Sequence, residues 1–175
     1  MSDIISSDLS DDLKNSWGTD QRVFDALDKE FNFDLDAAAS KANAKCNNYL
    51  TIDDDAISQN WAAILSDFRL KNKNVWINPP YGRGMIKKFM QKAIEQKVKG
   101  VTSVLLVPAT LDAQWLPINE ISEIRIITGG RLTFIHPELG KSVAGNTKGS
   151  MIVIFRPSKM PCVVRLIDRD ELITS

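Results

Sequence analysis

The run 101-VTSVLLVPA-109 constrains this chain more than any other stretch. It is nearly continuous in apolar residues, as expected of a strand covered on both faces. Such a strand needs a layer on each side, and the rest of the chain must supply both. In 17-WGTDQRVFDALDKEF-31 the residues Val23, Phe24, Leu27 and Phe31 recur at helical spacing, with Thr19 or Asp20 available to cap the start. The segment 33-FDLDAAAS-40 reads as a strand followed by a tight turn, and 74-NVWI-77 as another short strand. Between them, 41–61 is polar and irregular with a short helix near its start, and 62–74 has a helical pattern. In 85-MIKKFMQKAIEQKVKG-100, Ile86, Phe89, Met90, Ala93 and Ile94 form an apolar helical stripe that Gly100 ends.

Residues 111-LDAQWL-116 predict a short helix. Strand-like runs follow at 123-EIRIIT-128, 131-RLTFI-135 and 150-SMIVIFRP-157, with an edge strand at 162-CVVRLI-167. This order predicts a three-layer α/β fold whose sheet is mixed and mainly parallel, with antiparallel strands added toward the C-terminal end. In such sheets ligands sit at the carboxyl ends of the parallel strands, which places the turns at Asp36–Ser40 and Asn78–Gly84 on one rim. Nothing divides residues 17–175, which read as a single domain behind a mobile tail at 1–16.

Composition matters mainly for what it disfavours. No apolar run approaches the ~20 residues that cross a bilayer. The start, MSDIISSDLSDDLKNS, is polar and acidic, without the basic beginning and apolar centre of a signal peptide, so a cytoplasmic protein is expected. Cys46 and Cys162 then read as reduced thiols. The single histidine, His136, gives poor support to a Ser-His-Asp triad or a His-rich metal site, and before Pro137 it reads as a loop or strand-end residue. A formal charge of zero does not advertise nucleic-acid binding, yet it leaves room for a local basic patch.

The chemistry concentrates in 75-VWINPPYGRG-84. Pro79 and Pro80 remove two backbone donors and fix two φ angles, and each pushes its predecessor to an extended conformation. The turn therefore offers carbonyl oxygens in a rigid frame, and the Asn78 side chain adds another acceptor. Tyr81 adds a flat face for stacking. Together these parts form a socket for an exocyclic amine on a planar base.

This motif is similar to that of S-adenosylmethionine-dependent amino methyltransferases. The wider pattern resembles the small phage-type DNA N6-adenine methyltransferases. The matching pieces are WGTDQRVFDALDKEFNFDLDAAAS, AKCNNYLTIDDDAISQNW, VWINPPYGRG, VLLVPATLDAQW, EIRIITGGRLTF and SMIVIF, which cover roughly residues 17–156. The resemblance implies a Rossmann-like methyltransferase fold, S-adenosylmethionine as cofactor, no metal, and methylation of adenine N6 in double-stranded DNA. It further implies a phage setting in a bacterial host cytoplasm and protection of phage DNA from restriction.

By the same resemblance, Asn78, Pro79, Pro80 and Tyr81 are catalytic. The cofactor falls to Trp17, Gly18, Thr19, Asp36, Ala37, Ala38, Ser40, Asp54, Asp55, Ala56 and Asn78. Blander readings remain beside these roles: a core Trp17, a capping Thr19, a helix start at 36–40 and a solvated turn at 53-DDD-55. Only about 42 residues separate Asp36 from Asn78, where two βαβ steps of ~30 residues each would need more, so the core is expected to be abbreviated. Without a separate recognition domain, DNA contacts fall to Arg83, to the Lys87, Lys88 and Lys92 face, and to the 141–149 loop with Lys148. RNA, a protein glutamine or a small molecule stay open as substrates, and so does an inactive binding module.

Overall fold

A computed structural model describes residues 17–82, 84–136, 140–143 and 148–174. The tail at 1–16, the Arg83 position and part of the 141–149 loop lie outside the described residues.

The main sheet is built from β2 (Leu35–Asp36), β3 (Asn74–Ile77), β4 (Thr102–Pro108), β5 (Glu123–Thr128), β8 (Ser150–Phe155) and β9 (Val163–Asp168). Their order across the sheet is β2-β3-β4-β8-β5-β9. β2 pairs parallel with β3, β3 with β4, and β5 with β9, whereas β8 runs antiparallel to both β4 and β5. Five strands thus share one direction and β8 alone opposes them. The other antiparallel strands form a separate small sheet, β1-β6-β7, from Gly18–Thr19, Phe134–Ile135 and Ser142–Val143.

Side-chain alternation explains the layers. Val75, Ile77, Leu105, Val107, Met151, Val153 and Phe155 point to one face. There they meet Trp61 and Leu65 of α2 (Trp61–Asp67), and Ile86, Phe89, Met90 and Ala93 of α3 (Met85–Lys97). Trp76, Val104, Leu106, Ile152 and Ile154 point to the other face. These pack on Val23, Phe24, Leu27 and Phe31 of α1 (Gln21–Phe31) and on Leu172 of α4 (Arg169–Thr174). Each such side chain contributes about 1.5–3 kcal/mol when fully buried. The run around β4 is therefore covered on both faces, because α2 and α3 lie on one side and α1 and α4 on the other.

α1 begins where Asp20 accepts from Arg22 N at 3.0 Å, and it ends at Asn32, which turns left-handed at φ 50°. The stretch from Asp36 to α2 is short because no full βαβ step intervenes. Instead, residues 48–50 lie extended along the free side of β2. Asp36 N donates to Asn48 O at 3.0 Å, Leu50 N to Asp36 O at 2.8 Å, and Ala39 N to Leu50 O at 3.0 Å. This is the abbreviation of the core.

Four local expectations change. The helix expected over 62–74 spans Trp61–Asp67 and gives way to turns with Arg69 and Lys73 both at φ 54°. Residues 41–47 form turns and bends rather than a helix. Residues 111–116 also form turns, closed by Ala113 N to Thr110 O and Leu116 N to Ala113 O at 3.2 and 3.0 Å. Pro117 lacks an N–H and disfavours helical geometry at Leu116, so the pattern cannot propagate. The 131–135 run narrows to Phe134–Ile135, behind two glycines at φ 73° and 139°.

Candidate active site

The parallel strands end in register. Asp36 stands beside Trp76 in the β2–β3 pair, so the loop after Asp36 and the turn after Ile77 leave the sheet together. Ala37 N donates to Trp76 O at 3.0 Å, which draws the small-residue loop against β3 before it diverges. This places Asp36–Ser40 and Asn78–Tyr81 on one rim, as the sequence predicts.

Asp36 organises its loop. It is 3% exposed, and its carboxylate accepts from Ala38 N through Oδ1 and from Lys45 N through Oδ2, both at 3.1 Å. Burial raises its pKa to about 6, against those two donors and the Lys45 charge, which favour the ionised form. Ala37 is buried, whereas Ala38, Ala39 and Ser40 are half-buried, so backbone and methyl groups form the surface there. Asn43 Oδ1 accepts from Ser40 N at 2.6 Å and closes the loop.

The N-terminal arm packs on the same loop. Gly18 pairs with Ile135 in β6, and a Cβ at Gly18 would meet the Cβ atoms of Ile135 and Asn43 at 3.5 and 3.8 Å. Lys45 Nζ donates to Gln21 Oε1 at 2.7 Å. Thr19 is 3% exposed, and its hydroxyl has no hydrogen-bond partner among the described residues. Trp17 sets its ring edge-on to His136, with centroids 5.0 Å apart, and its carbonyl accepts from Asn78 Nδ2 at 3.0 Å. That last bond ties the arm to the Asn-Pro-Pro-Tyr turn.

Within the turn, Pro79 is buried while Asn78 and Pro80 are half-buried. Tyr81 is 40% exposed, and its ring stands edge-on to Phe134 with centroids 6.5 Å apart. Protein packed around the hydroxyl raises its pKa by desolvation.

Asp54 and Asp55 are exposed, in the turns that follow the 48–50 segment. Asp54 Oδ2 accepts from Thr51 N and Oγ1 at 2.8 and 2.7 Å, and the backbone donor in particular holds its pKa below the usual range. Asp55 adopts φ 47°, and the buried Ala56 accepts from Trp61 Nε1 at 2.9 Å. Of the basic residues proposed for DNA, Lys87, Lys88 and Lys148 are exposed. Lys92 is not part of an open basic face. It is 6% exposed and its amine pairs with Glu95 at 3.0 Å, because its stem lies along the buried side of α3.

Sequence reasoning missed three contributors. The Ser40-x-x-Asn43 spacing was a readable turn signal. Phe134 and His136 join the rim only through the pairing of β1 with β6, across more than 100 residues, and no local signal marks them.

A methyltransferase of the Rossmann-like class is what this sheet and rim describe: small residues after one parallel strand, an acceptor-rich proline turn after the next. Within that class the chain belongs to the DNA N-6-adenine-methyltransferase (Dam) family, whose model matches residues 6–175. It is 34% identical over 166 residues to a DNA N-6-adenine-methyltransferase of Escherichia phage T1, covering 85% of this chain and 66% of that relative. It is 31% identical over 149 residues to one of Haemophilus phage HP1, covering 82% and 80%. The chain thus spans about two thirds of the length of the phage T1 relative. A structure described as a predicted O-methyltransferase of Agrobacterium tumefaciens overlaps 92% of this chain and 85% of its own, at 16% identity and a TM-score of 0.37.

Proposed function

We propose that the protein methylates the N6 amine of adenine in double-stranded DNA, with S-adenosylmethionine as donor. The carrying observation is the turn itself. A rigid pair of prolines sets Asn78 and the half-open Tyr81 ring at the end of a parallel strand, beside a loop of small residues. Family membership supports the substrate.

The residues fit a large cofactor with polar ends. Half-buried Ala38 and Ala39 leave little but backbone and methyl groups at the loop surface, and the buried Thr19 hydroxyl, without a partner among the described residues, is one that a polar ligand atom would satisfy. Trp17–Thr19, Asp36–Ser40 and Asp54–Ala56 would hold S-adenosylmethionine. When bound, it supplies a methyl group on a sulfonium, already a good leaving group.

The protein's own part is positioning and charge. Adenine N6 is a weak nucleophile because its lone pair is conjugated with the ring. Asn78 Oδ1 and the Pro79 carbonyl accept hydrogen bonds from that amine, favour a more tetrahedral nitrogen and stabilise its developing positive charge. Holding the amine in place supplies much of the remaining acceleration. The base must leave the duplex to reach this turn, and Tyr81 stacks on it there. Lys87, Lys88, Lys148 and Arg83 are the proposed phosphate contacts. The protein meets its DNA in the cytoplasm; among the described residues no helix is long and apolar enough to cross a membrane.

The test is incubation with methyl-labelled S-adenosylmethionine and adenine-containing duplex, beside RNA and protein controls. Label should enter adenine N6 of the duplex. Transfer to RNA or protein but not to DNA would overturn the reading.

A further inference from the structure

Asn78 is useful only if its amide faces the right way. A side-chain amide carries an acceptor on one side and a donor on the other. Turned one way, Asn78 offers Oδ1 to an amine. Turned the other way it sets NH2 against NH2, donor against donor. Nothing within the Asn-Pro-Pro-Tyr turn decides between the two.

The decision comes from 61 residues away, where Trp17 O lies 3.0 Å from the amide nitrogen. A carbonyl oxygen can only accept, so the group facing it must be the NH2. Oδ1 receives no hydrogen bond from the described residues and is left for the substrate. The carbonyl is itself anchored from outside the turn, through the Gly18–Ile135 pairing and the ring contact with His136.

We infer that the main-chain carbonyl of Trp17 is a positioning group that fixes the Asn78 amide with its oxygen toward the target amine. This rests on the methyl-transfer reading above. One net hydrogen bond biases the two orientations by about two- to tenfold. Because the same arm is proposed to hold the methyl donor, amine binding and donor binding share one structural support.

Asn78→Asp tests this by titration of the introduced carboxyl. An ionised carboxylate would set one oxygen against Trp17 O, whereas the protonated acid donates to it and turns its carbonyl outward, as the amide does. The introduced carboxyl should therefore titrate at least one unit above the ordinary ~3.9, followed by carbon-13 NMR of labelled protein. The kcat of this variant does not report the orientation, because an ionised carboxylate offers an outward acceptor oxygen whichever way it turns. Asn78→Ser keeps a donor toward Trp17 but offers no outward carbonyl, so its kcat should stay low at every pH. An ordinary carboxyl pKa for Asn78→Asp, or a wild-type kcat for Asn78→Ser, would overturn the inference. A wild type inert on all adenine substrates would instead defeat the methyl-transfer reading, while the carboxyl titration would still decide this one.

Discussion

Replacing Asp36 by Asn removes the charge that holds the small-residue loop. The native carboxyl is pushed from 3.8 to about 6 by burial. A shift of that size corresponds to about 3 kcal/mol of disfavour for the ionised form in the folded protein. The folded pKa lies above the unfolded one, so this group's stabilising contribution is full below about pH 3.8 and is lost as pH rises through about 6. Between pH 5 and 7.5 the loss amounts to about 1.4 kcal/mol.

The variant has no such titration. It keeps an oxygen for Ala38 N, but it presents NH2 to Lys45 N, which leaves one buried donor unmatched at a cost of about 1–3 kcal/mol. Relief of the charge burial offsets that cost at neutral pH, so the two proteins should lie within about 2 kcal/mol of each other there. Urea unfolding of both proteins at pH 5, 6 and 7.5 measures the difference. The wild type's advantage should shrink by about 1.4 kcal/mol across the series. A gap constant with pH would refute the reasoning, since it would mean that Asp36 ionises in the fold as it does in water. Calorimetry of S-adenosylmethionine should show weaker binding by the variant, about tenfold, because its loop has lost the anchor at Lys45.

Asn78→Ala should reduce turnover at least a hundredfold while donor affinity stays within a few fold, which radiolabel transfer and calorimetry together resolve. Tyr81→Ala should weaken binding to adenine duplex by about 5- to 150-fold, the worth of one base stack, whereas Tyr81→Phe should restore most of it; 2-aminopurine fluorescence at the target position reads base extrusion directly. Arg125→Ala should lower stability by about 3 kcal/mol, measured as the urea midpoint. It breaks the bidentate pair with Glu30 at 2.6 Å and the 2.8 Å contact with Glu123, while Arg156 and Arg165 still hold Glu123.

Most of the fold was legible where a local pattern suffices. Val104–Val107 announce a strand covered on both faces, Val23 to Phe31 announce α1, and the two prolines mark where β3 stops. The turn proposed as catalytic was legible for the same reason, since its residues are contiguous. What escaped was pairing between distant segments. Asn48–Leu50 lie along β2 through backbone bonds that their side chains do not advertise. The small sheet that carries Trp17 to Asn78 needs Gly18 and Ile135 to meet. Lys92 reads as surface by residue type, yet its position on α3 buries its stem and leaves its amine to Glu95. In each case the deciding partner lies elsewhere in space, and the side chain's own character points the wrong way or nowhere.

The lone reversed strand also sets an order of assembly. β8 lies between β4 and β5 in space but follows both in sequence. As the chain is synthesised, β2, β3 and β4 can pair while β8 is still missing, and β4 then carries an unsatisfied edge. The Asn78 turn is attached to that early half. The central sheet becomes continuous only after Phe155 has been made, so the nascent protein holds its proline turn before it holds the strand that joins its two halves.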